Sequence, residues 1–192
     1  MTNIFFKAIY FSYFSLESSY NSFILLSNYF FIFKMLTIEI GKDNPTLRTL
    51  CDPIKTSEWK QYVKLGQEML AYIKNPDHAW VGLAAPQVGV TKRIIIVSLM
   101  HNWDDESFRT VMMLNPEIIE ASDKTISSVE EWCLSLPKTK KGFVARHKEI
   151  KLRYFDEKMQ EKTLRLSGLA SVIVQHEIDH LDGVLYIDKL VQ

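Results

Sequence analysis

The feature that most constrains this chain is a pair of histidines in the sequence QHEIDH (175–180), near the C-terminus. Residues four apart lie on one face of an α-helix, so a helix here would let His176 and His180 reach a single metal ion. Apolar side chains precede His176 at spacings of three, four and seven. Because unliganded imidazoles on such a buried face would be costly, the pattern favours a metal site over two solvated histidines.

A metal site of this type needs a third ligand, and zinc-protease helices place it downstream. Here Tyr186 stands where one such pattern has its last histidine, and the acidic residues that follow the motif are Asp182 and Asp188. Upstream, Cys133 lies among apolar residues in EWCLSLP. A thiolate and two imidazoles leave one coordination position for water, as a hydrolytic site requires. Taken alone, Cys133 is a small buried hydrophobe, and Cys51 keeps that interpretation.

Two segments have helical patterns. In residues 57–75 apolar side chains recur every three or four positions behind Ser57, which we interpret as the N-cap. Residues 168–181 form the second predicted helix, capped by Ser167 and ended by Gly183 in a left-handed conformation.

Strand signals fill the region between the helices. Residues 93–99, 111–119 and 149–156 are rich in β-branched and aromatic side chains, and residues 161–167 are placed to return as a hairpin partner. A chain in which a run of strands is followed by one central helix near the C-terminus is typical of an α+β fold. We therefore predict antiparallel β-sheets packed around a C-terminal helix that carries the HExxH motif.

The N-terminal region differs in composition from the rest. Residues 1–34 are dense in Phe, Tyr and Ser, and they lack Gly, Pro and Arg. They hold no uninterrupted apolar run of about 18 residues, so no stable membrane insertion is expected. We interpret them as a non-native extension upstream of a start at Met35, with a targeting segment as the alternative. Residues 35–192 are predicted to form one catalytic domain.

Charge and cysteine content exclude several classes of protein. The 23 basic and 23 acidic side chains balance, so nothing indicates direct reading of nucleic acid or attraction to an anionic membrane. Two cysteines 82 positions apart form no disulfide framework, which favours a reducing, intracellular setting.

Three stretches resemble, in order and separation, the motifs of peptide deformylase: VGLAAPQVG (81–89), EWCLS (131–135) and QHEIDH (175–180). The resemblance covers essentially all of residues 35–192. It implies a metal-dependent hydrolase that removes the formyl group from the N-terminal formyl-methionine of newly made proteins and releases formate. The implied partners are N-formyl-methionyl peptides, nascent chains and the ribosome. The implied location is the bacterial cytoplasm, or an organelle if the extension is genuine.

The resemblance also implies roles for individual residues. It implies three metal ligands: Cys133, His176 and His180. Glu177 resembles the general base, which takes a proton from water and gives it to the leaving amine. The metal of this family is characteristically ferrous iron, with zinc and nickel as alternatives. Glu131 and Arg146 are expected to form an ion pair that orients the cysteine loop, with a surface salt bridge as the alternative.

Substrate contacts follow from the same resemblance. The side-chain amide of Gln87 and the backbone N–H of Leu134 resemble the donors to the oxyanion. Val81 and Gly82 are expected to pair with the substrate backbone as an added strand. The methionine side chain is expected to enter an apolar pocket walled by Leu169, Val172 and Ile173.

Two tryptophans depart from the family pattern, which has glycine at the positions of Trp80 and Trp132. Such an exchange can clash or demand a backbone angle that tryptophan resists. One hypothesis is a catalytically impaired homologue that binds peptide N-termini, and a zinc endopeptidase is a further alternative. A second hypothesis is a shared cause, an in-frame UGA codon that the organism reads as glycine, which would extend to Trp103. UGG codons at Trp80 and Trp132 would exclude it.

Overall fold

Antiparallel pairing of mostly adjacent strands organises the computed structural model, which describes residues 36–77 and 80–191. The two α-helices are α1 (Trp59–Lys74) and α2 (Gly168–Leu181), and 3-10 turns occupy Thr56–Glu58, Ala85–Val88 and Tyr186–Lys189. The strands are β1 (Gly82–Ala84), β2 (Ile94–Leu99), β3 (Arg109–Ala121), β4 (Thr125–Ile126), β5 (Glu130–Glu131), β6 (Gly142–Phe143), β7 (Arg146–His147), β8 (Glu149–Phe155) and β9 (Glu161–Ser167).

The main sheet has five strands in the order β1-β2-β3-β8-β9, each pair antiparallel. Strands β4 and β7 form one small sheet, and β5 and β6 form another. The predicted hairpin is confirmed as β8 and β9, joined by the turn at 156–160. In β8 buried and more exposed positions alternate, as expected for a strand with one dry face.

The two helices pack on opposite faces of β2. Ile95 and Val97 pack in one apolar cluster with residues of α2, whereas Ile94 and Ile96 pack in another with Met69 of α1. Because both faces of β2 are covered, the strand reads as a continuous apolar run rather than an alternating one. This arrangement confirms the predicted α+β fold.

Helix α2 is the central element of the fold. Twelve of its fourteen residues are buried, and its polar side chains therefore need partners inside the protein. Gly183, with φ +72°, ends the helix in the predicted left-handed conformation.

Of the two predicted N-caps, Ser57 is wrong and Ser167 is confirmed in position. Ser57 lies inside the 3-10 turn that precedes α1, so Glu58 occupies the N-cap position. Ser167 does hold the N-cap position of α2, but its side chain makes no capping hydrogen bond.

The described residues belong to one compact unit. The interpretation of residues 1–34 and of a start at Met35 falls outside the described part of the chain. No helix in the described ranges is long and apolar enough to cross a membrane.

Candidate metal centre

Helix α2 and the loop after β5 bring one sulfur and two imidazoles together. The possible ligand atoms of Cys133, His176 and His180 all lie within 4.8 Å of one another, and Cys133 Sγ is 3.2 Å from His180 Nε2. Cys133 and His180 are almost fully buried. The three residues predicted from the sequence therefore form one cluster.

The donor set of this cluster fits a divalent transition metal. A thiolate and two neutral imidazoles suit iron, zinc and nickel, and three protein ligands leave a position for a further oxygen ligand. The hydrogen bond between His176 Nδ1 and Glu131, at 2.7 Å, leaves Nε2 of that ring for ligation. Such a hydrogen bond from the second ring nitrogen is the usual way in which proteins orient a ligating histidine.

Glu131 is held between His176 and an arginine. Arg146 donates two hydrogen bonds of 2.8 Å to its carboxylate, and both side chains are under 5% exposed. Burial alone would raise the pKa of Glu131, but the hydrogen bonds from Arg146 and His176 lower it to about 2. The predicted orienting ion pair is present, and the alternative of a surface salt bridge is wrong because the pair is buried.

Asp179 and Lys189 extend this network and were missed by sequence reasoning. Arg146 also donates a hydrogen bond to Asp179, whose other oxygen accepts one from Lys189 at 2.6 Å. A signal did exist in the sequence, since Asp179 lies three residues after His176 on a helix predicted to be buried. A buried carboxylate there requires a cationic partner, but the pattern does not say which.

Glu177 is the buried carboxylate that lacks such partners. It is 5% exposed, and its Oε2 atom accepts no hydrogen bond from the described residues. Burial raises the pKa of Glu177 to about 7, although the neighbouring His176 opposes the shift. The side chain packs against Gly82, where an added Cβ would lie 2.2 Å from Glu177 Oε1. Glycine at position 82 is therefore what makes room for the carboxylate.

The amide of Gln87 is oriented towards the cluster. Its Oε1 accepts a 2.8 Å hydrogen bond from the backbone N–H of Ala84, which turns Nε2 towards Cys133 Sγ at 3.6 Å and Ser135 Oγ at 3.3 Å. Ser135 is fully buried and was not singled out from the sequence, although it lies in the EWCLS motif. Gln87 is therefore a fixed donor beside the cluster of Cys133, His176 and His180.

One cavity of about 100 Å³ opens beside the cluster. The predicted catalytic residues Gln87, Leu134 and Glu177 line it together with Cys133 and His176. The five predicted substrate contacts line it as well: Val81, Gly82, Leu169, Val172 and Ile173.

Strand β1 presents its open edge to this cavity. Val81 accepts a hydrogen bond from the N–H of Ser98 at 2.8 Å, so its carbonyl faces β2. Bonded and non-bonded pairs alternate along an antiparallel ladder, and Gly82 is the next pair along, opposite Val97. The peptide groups of Gly82 therefore point away from β2, whereas Val81 contributes its side chain to the wall.

The two departures from the family pattern contact each other. The rings of Trp80 and Trp132 are 4.8 Å apart at an angle of 49°, and Lys141 Nζ lies 5.3 Å from the Trp132 ring. Trp132 is 46% exposed, so it does not overpack the core. Its φ is not positive either, since among described non-glycine residues only Asn115 and Met159 have such an angle. The expectation that Trp132 conflicts with its backbone angle is therefore wrong.

The other described histidines and the second cysteine take no part in the cluster. His147 is bonded through Nδ1 to the carbonyl of Ser122, and His101 lies on an exposed turn. His78 lies outside the described residues. Cys51 is buried elsewhere, where burial raises the pKa of its thiol to about 11, and this agrees with its interpretation as a small core residue.

Comparisons with known proteins point to one family. A family model described as polypeptide deformylase matches residues 37–192. A peptide deformylase of Enterococcus faecalis is 34% identical over 172 residues, covering 81% of this chain and 91% of that protein. One from Streptococcus pyogenes is 34% identical over 171 residues, covering 79% of this chain and 83% of its own length.

Solved structures agree with the sequence comparisons. The crystal structure of peptide deformylase from Thermotoga maritima superposes with a TM-score of 0.71 at 32% identity, covering 82% of this chain and 99% of that one. A class I type b peptide deformylase from Acinetobacter baumannii with bound Met-Ala-Ser gives 0.70 at 30% identity, covering 81% and 98%.

Proposed function

The chain belongs to the polypeptide deformylase family, and we propose how its residues carry out that family's reaction. It is a metal-dependent hydrolase that removes the formyl group from the N-terminal formyl-methionine of newly made proteins. The observation that supports the residue roles best is the unpartnered carboxylate of Glu177, which lines the same cavity as two of the three clustered ligands.

Cys133, His176 and His180 hold the metal in this proposal, and ferrous iron is the metal we favour over zinc or nickel. When bound, such a metal acts as a Lewis acid towards the formyl oxygen and makes water a stronger acid. Glu131 keeps His176 in the ligating tautomer by accepting from Nδ1, and Arg146 keeps Glu131 ionised.

Glu177 moves the proton. Its Oε2 atom is free to accept a proton from the attacking water, and the same oxygen then returns that proton to the amine of the departing methionine. Contact with Gly82 restricts where the carboxylate can lie.

Gln87 and Leu134 stabilise the oxygen of the formyl group as it becomes negative. Nε2 of Gln87 faces the cluster because Oε1 is occupied by the N–H of Ala84. No described residue accepts a hydrogen bond from the backbone N–H of Leu134, which leaves it for the substrate. Removing one such donor typically raises the barrier by ~2.7–4 kcal/mol.

The substrate binds along the edge of β1. The peptide groups of Gly82 pair with the backbone of the formylated chain, as in other complexes in which a peptide extends a sheet. The side chain of the first methionine enters the cavity against Leu169, Val172 and Ile173, beside Val81.

The substrates in the cell are nascent chains, and we propose that the enzyme meets them at the ribosome in a bacterial cytoplasm. Curated relatives of bacterial origin support this location. An organelle remains the alternative tied to residues 1–34. An impaired homologue has no support from the site, which keeps Glu177, Gln87 and all three clustered ligands.

Formate release from formyl-Met-Ala-Ser tests this function, with protein purified anaerobically and loaded with ferrous iron. We expect turnover, its loss on chelation, and a fall in kcat of ~10²–10⁴ in Glu177→Gln at unchanged metal content. Glu117→Gln, the same exchange on the exposed sheet surface, serves as the control. Turnover by Glu177→Gln at the parent rate would refute the proposed role of Glu177. If the metal-loaded parent released no formate, the proposed activity would be refuted.

A further inference from the structure

The catalytic cavity continues into a much larger groove of about 1120 Å³. The boundary residues line both spaces: Trp80, Val81, Trp103, Val129, Glu130 and Trp132. A peptide whose formyl group lies at the metal and whose first side chain fills the inner cavity has to leave across this boundary. The part of the substrate that meets the boundary is the residue after the methionine.

The boundary is aromatic on both sides of the peptide path. Trp80 lies two residues before β1, whose edge carries Gly82, and Trp132 directly follows β5 and precedes Cys133. Contact between the two rings therefore connects the strand that pairs with the substrate to the loop that carries a metal ligand. The ammonium group of Lys141 lies against the exposed Trp132 ring and stabilises its position.

This boundary leaves apolar surface uncovered. Trp132 is 46% exposed and Trp103 is 57% exposed, although tryptophan usually buries most of its area. A large apolar side chain seated on these rings would remove that area from water, whereas alanine would cover little of it. Two motif glycines at positions 80 and 132 would offer no such surface.

We propose that Trp80 and Trp132 form a subsite for the second residue of the formylated chain and select a large apolar side chain there. This inference rests on the proposed function, since it assigns a substrate preference to the same site. The occupant is a side chain of the substrate itself, and the shared boundary with the catalytic cavity supports it.

The test compares kcat/KM for formyl-Met-Leu-Ser-amide and formyl-Met-Ala-Ser-amide. We expect the parent enzyme to prefer the leucine peptide by roughly tenfold or more, the effect of a few methylene groups in an apolar pocket. The double variant Trp80→Gly/Trp132→Gly should lose most of this preference. Trp80→Phe/Trp132→Phe should keep it, because aromatic surface remains.

Leu50→Ala is the control variant, since Leu50 is 69% exposed and lines neither cavity. Equal preference in the parent and in the double glycine variant would overturn the subsite, and so would a parent without preference. If only the double glycine variant turns over either peptide, the tryptophans obstruct the site and the proposal is equally wrong.

Calorimetric titration of the product peptides Met-Leu-Ser-amide and Met-Ala-Ser-amide separates the two proposals. Tighter binding of the leucine peptide to the parent, lost in the double glycine variant, supports the subsite even if no variant releases formate. If no metal-loaded variant released formate from either formylated peptide, the proposed function would instead be refuted.

Discussion

The charged residues around α2 and those on the outer surface of the main sheet make ion pairs of similar length in opposite surroundings. Around α2, Arg146 pairs with Glu131 and Asp179, and all three side chains are at most 13% exposed. The pairs on the sheet are Lys151–Glu120, Arg153–Glu117 and Arg165–Glu120, with N–O distances of 2.6–3.0 Å. Of these five side chains, only Lys151 is less than 45% exposed.

Distance therefore does not separate the two regions, but burial does. Water and salt screen the exposed pairs, so each contributes little to stability. In the buried network each charge has lost its hydration and depends on its partners. The network around α2 therefore fixes His176 and keeps Glu131 ionised, whereas the pairs on the sheet are solvated surface contacts.

Arg146→Leu removes the arginine of the buried network and should have the largest effect of the substitutions proposed. It leaves Glu131 and Asp179 buried without their main cation, and we expect the free energy of unfolding to fall by ~3–5 kcal/mol. Urea denaturation of the metal-free protein measures this. Arg153→Leu on the sheet is the matched control and should leave the midpoint unresolved from the parent. Equal shifts in the two variants would contradict the comparison.

Unfolding by acid tests the buried network around α2 through the ionisation of Glu131. Its folded pKa is about 2 against an ordinary value of 4.5, so its stabilising contribution is present above pH 4.5 and is lost as the pH falls towards 2. That difference corresponds to about 3 kcal/mol. In metal-free protein the parent should lose stability more steeply across this window than Glu131→Gln. Parallel curves for the two proteins would show that Glu131 is not held ionised.

Gly82→Ala tests the space around the Glu177 carboxylate rather than the charges near it. The new Cβ would collide with the buried Glu177 carboxylate, and we expect kcat for formate release to fall about 10²-fold or more, the low end of what a general base supplies. Gly142→Ala is the matched control. Its new Cβ meets only the end of the exposed Leu190 side chain, which can move aside. A fall of similar size in both variants would disprove a specific role for Gly82.

Glu131→Gln tests the proposed role of the network in orienting His176. Outer partners of a ligating histidine commonly contribute 10–100-fold to metal affinity, and we expect a loss in that range. Competition with a chromophoric chelator measures the affinity of each protein. Glu120→Gln on the sheet surface is the control, and a loss there of the same size would argue for a general electrostatic effect.

Lys151→Gln should have the smallest effect. It removes one exposed partner of Glu120, which still has Arg165. We expect a barely measurable shift of the urea midpoint at low salt and none at about 1 M salt, where charges are screened beyond about 3 Å. A salt-independent shift would show that the pair on the sheet is not simply a solvated one.

Local pattern was sufficient for the longer strands and for both helices, but not for the short strands or for the cap of α1. The strand and helix periods of β2, β8, β9 and α2 follow from side chains a few residues apart, and the structure has these elements close to the predicted bounds. The cap at Ser57 failed because a 3-10 turn comes before α1, where the backbone N–H of Lys55 donates a hydrogen bond to the Glu58 carboxylate. Strand β1 was missed because three residues carry too little periodicity.

Helical spacing was sufficient to predict that His176 and His180 share one face of α2, and the three ordered motifs were sufficient to identify the family. How this site is held became visible only in the folded protein, which shows that Arg146 meets Asp179 and that Glu131 is buried against His176. It also shows that Gly82 makes room for Glu177 and that Trp80 lies on Trp132. The physical reason is distance along the chain. Periodicity reports neighbours within a turn of helix or a strand, whereas these contacts join residues brought together only by folding.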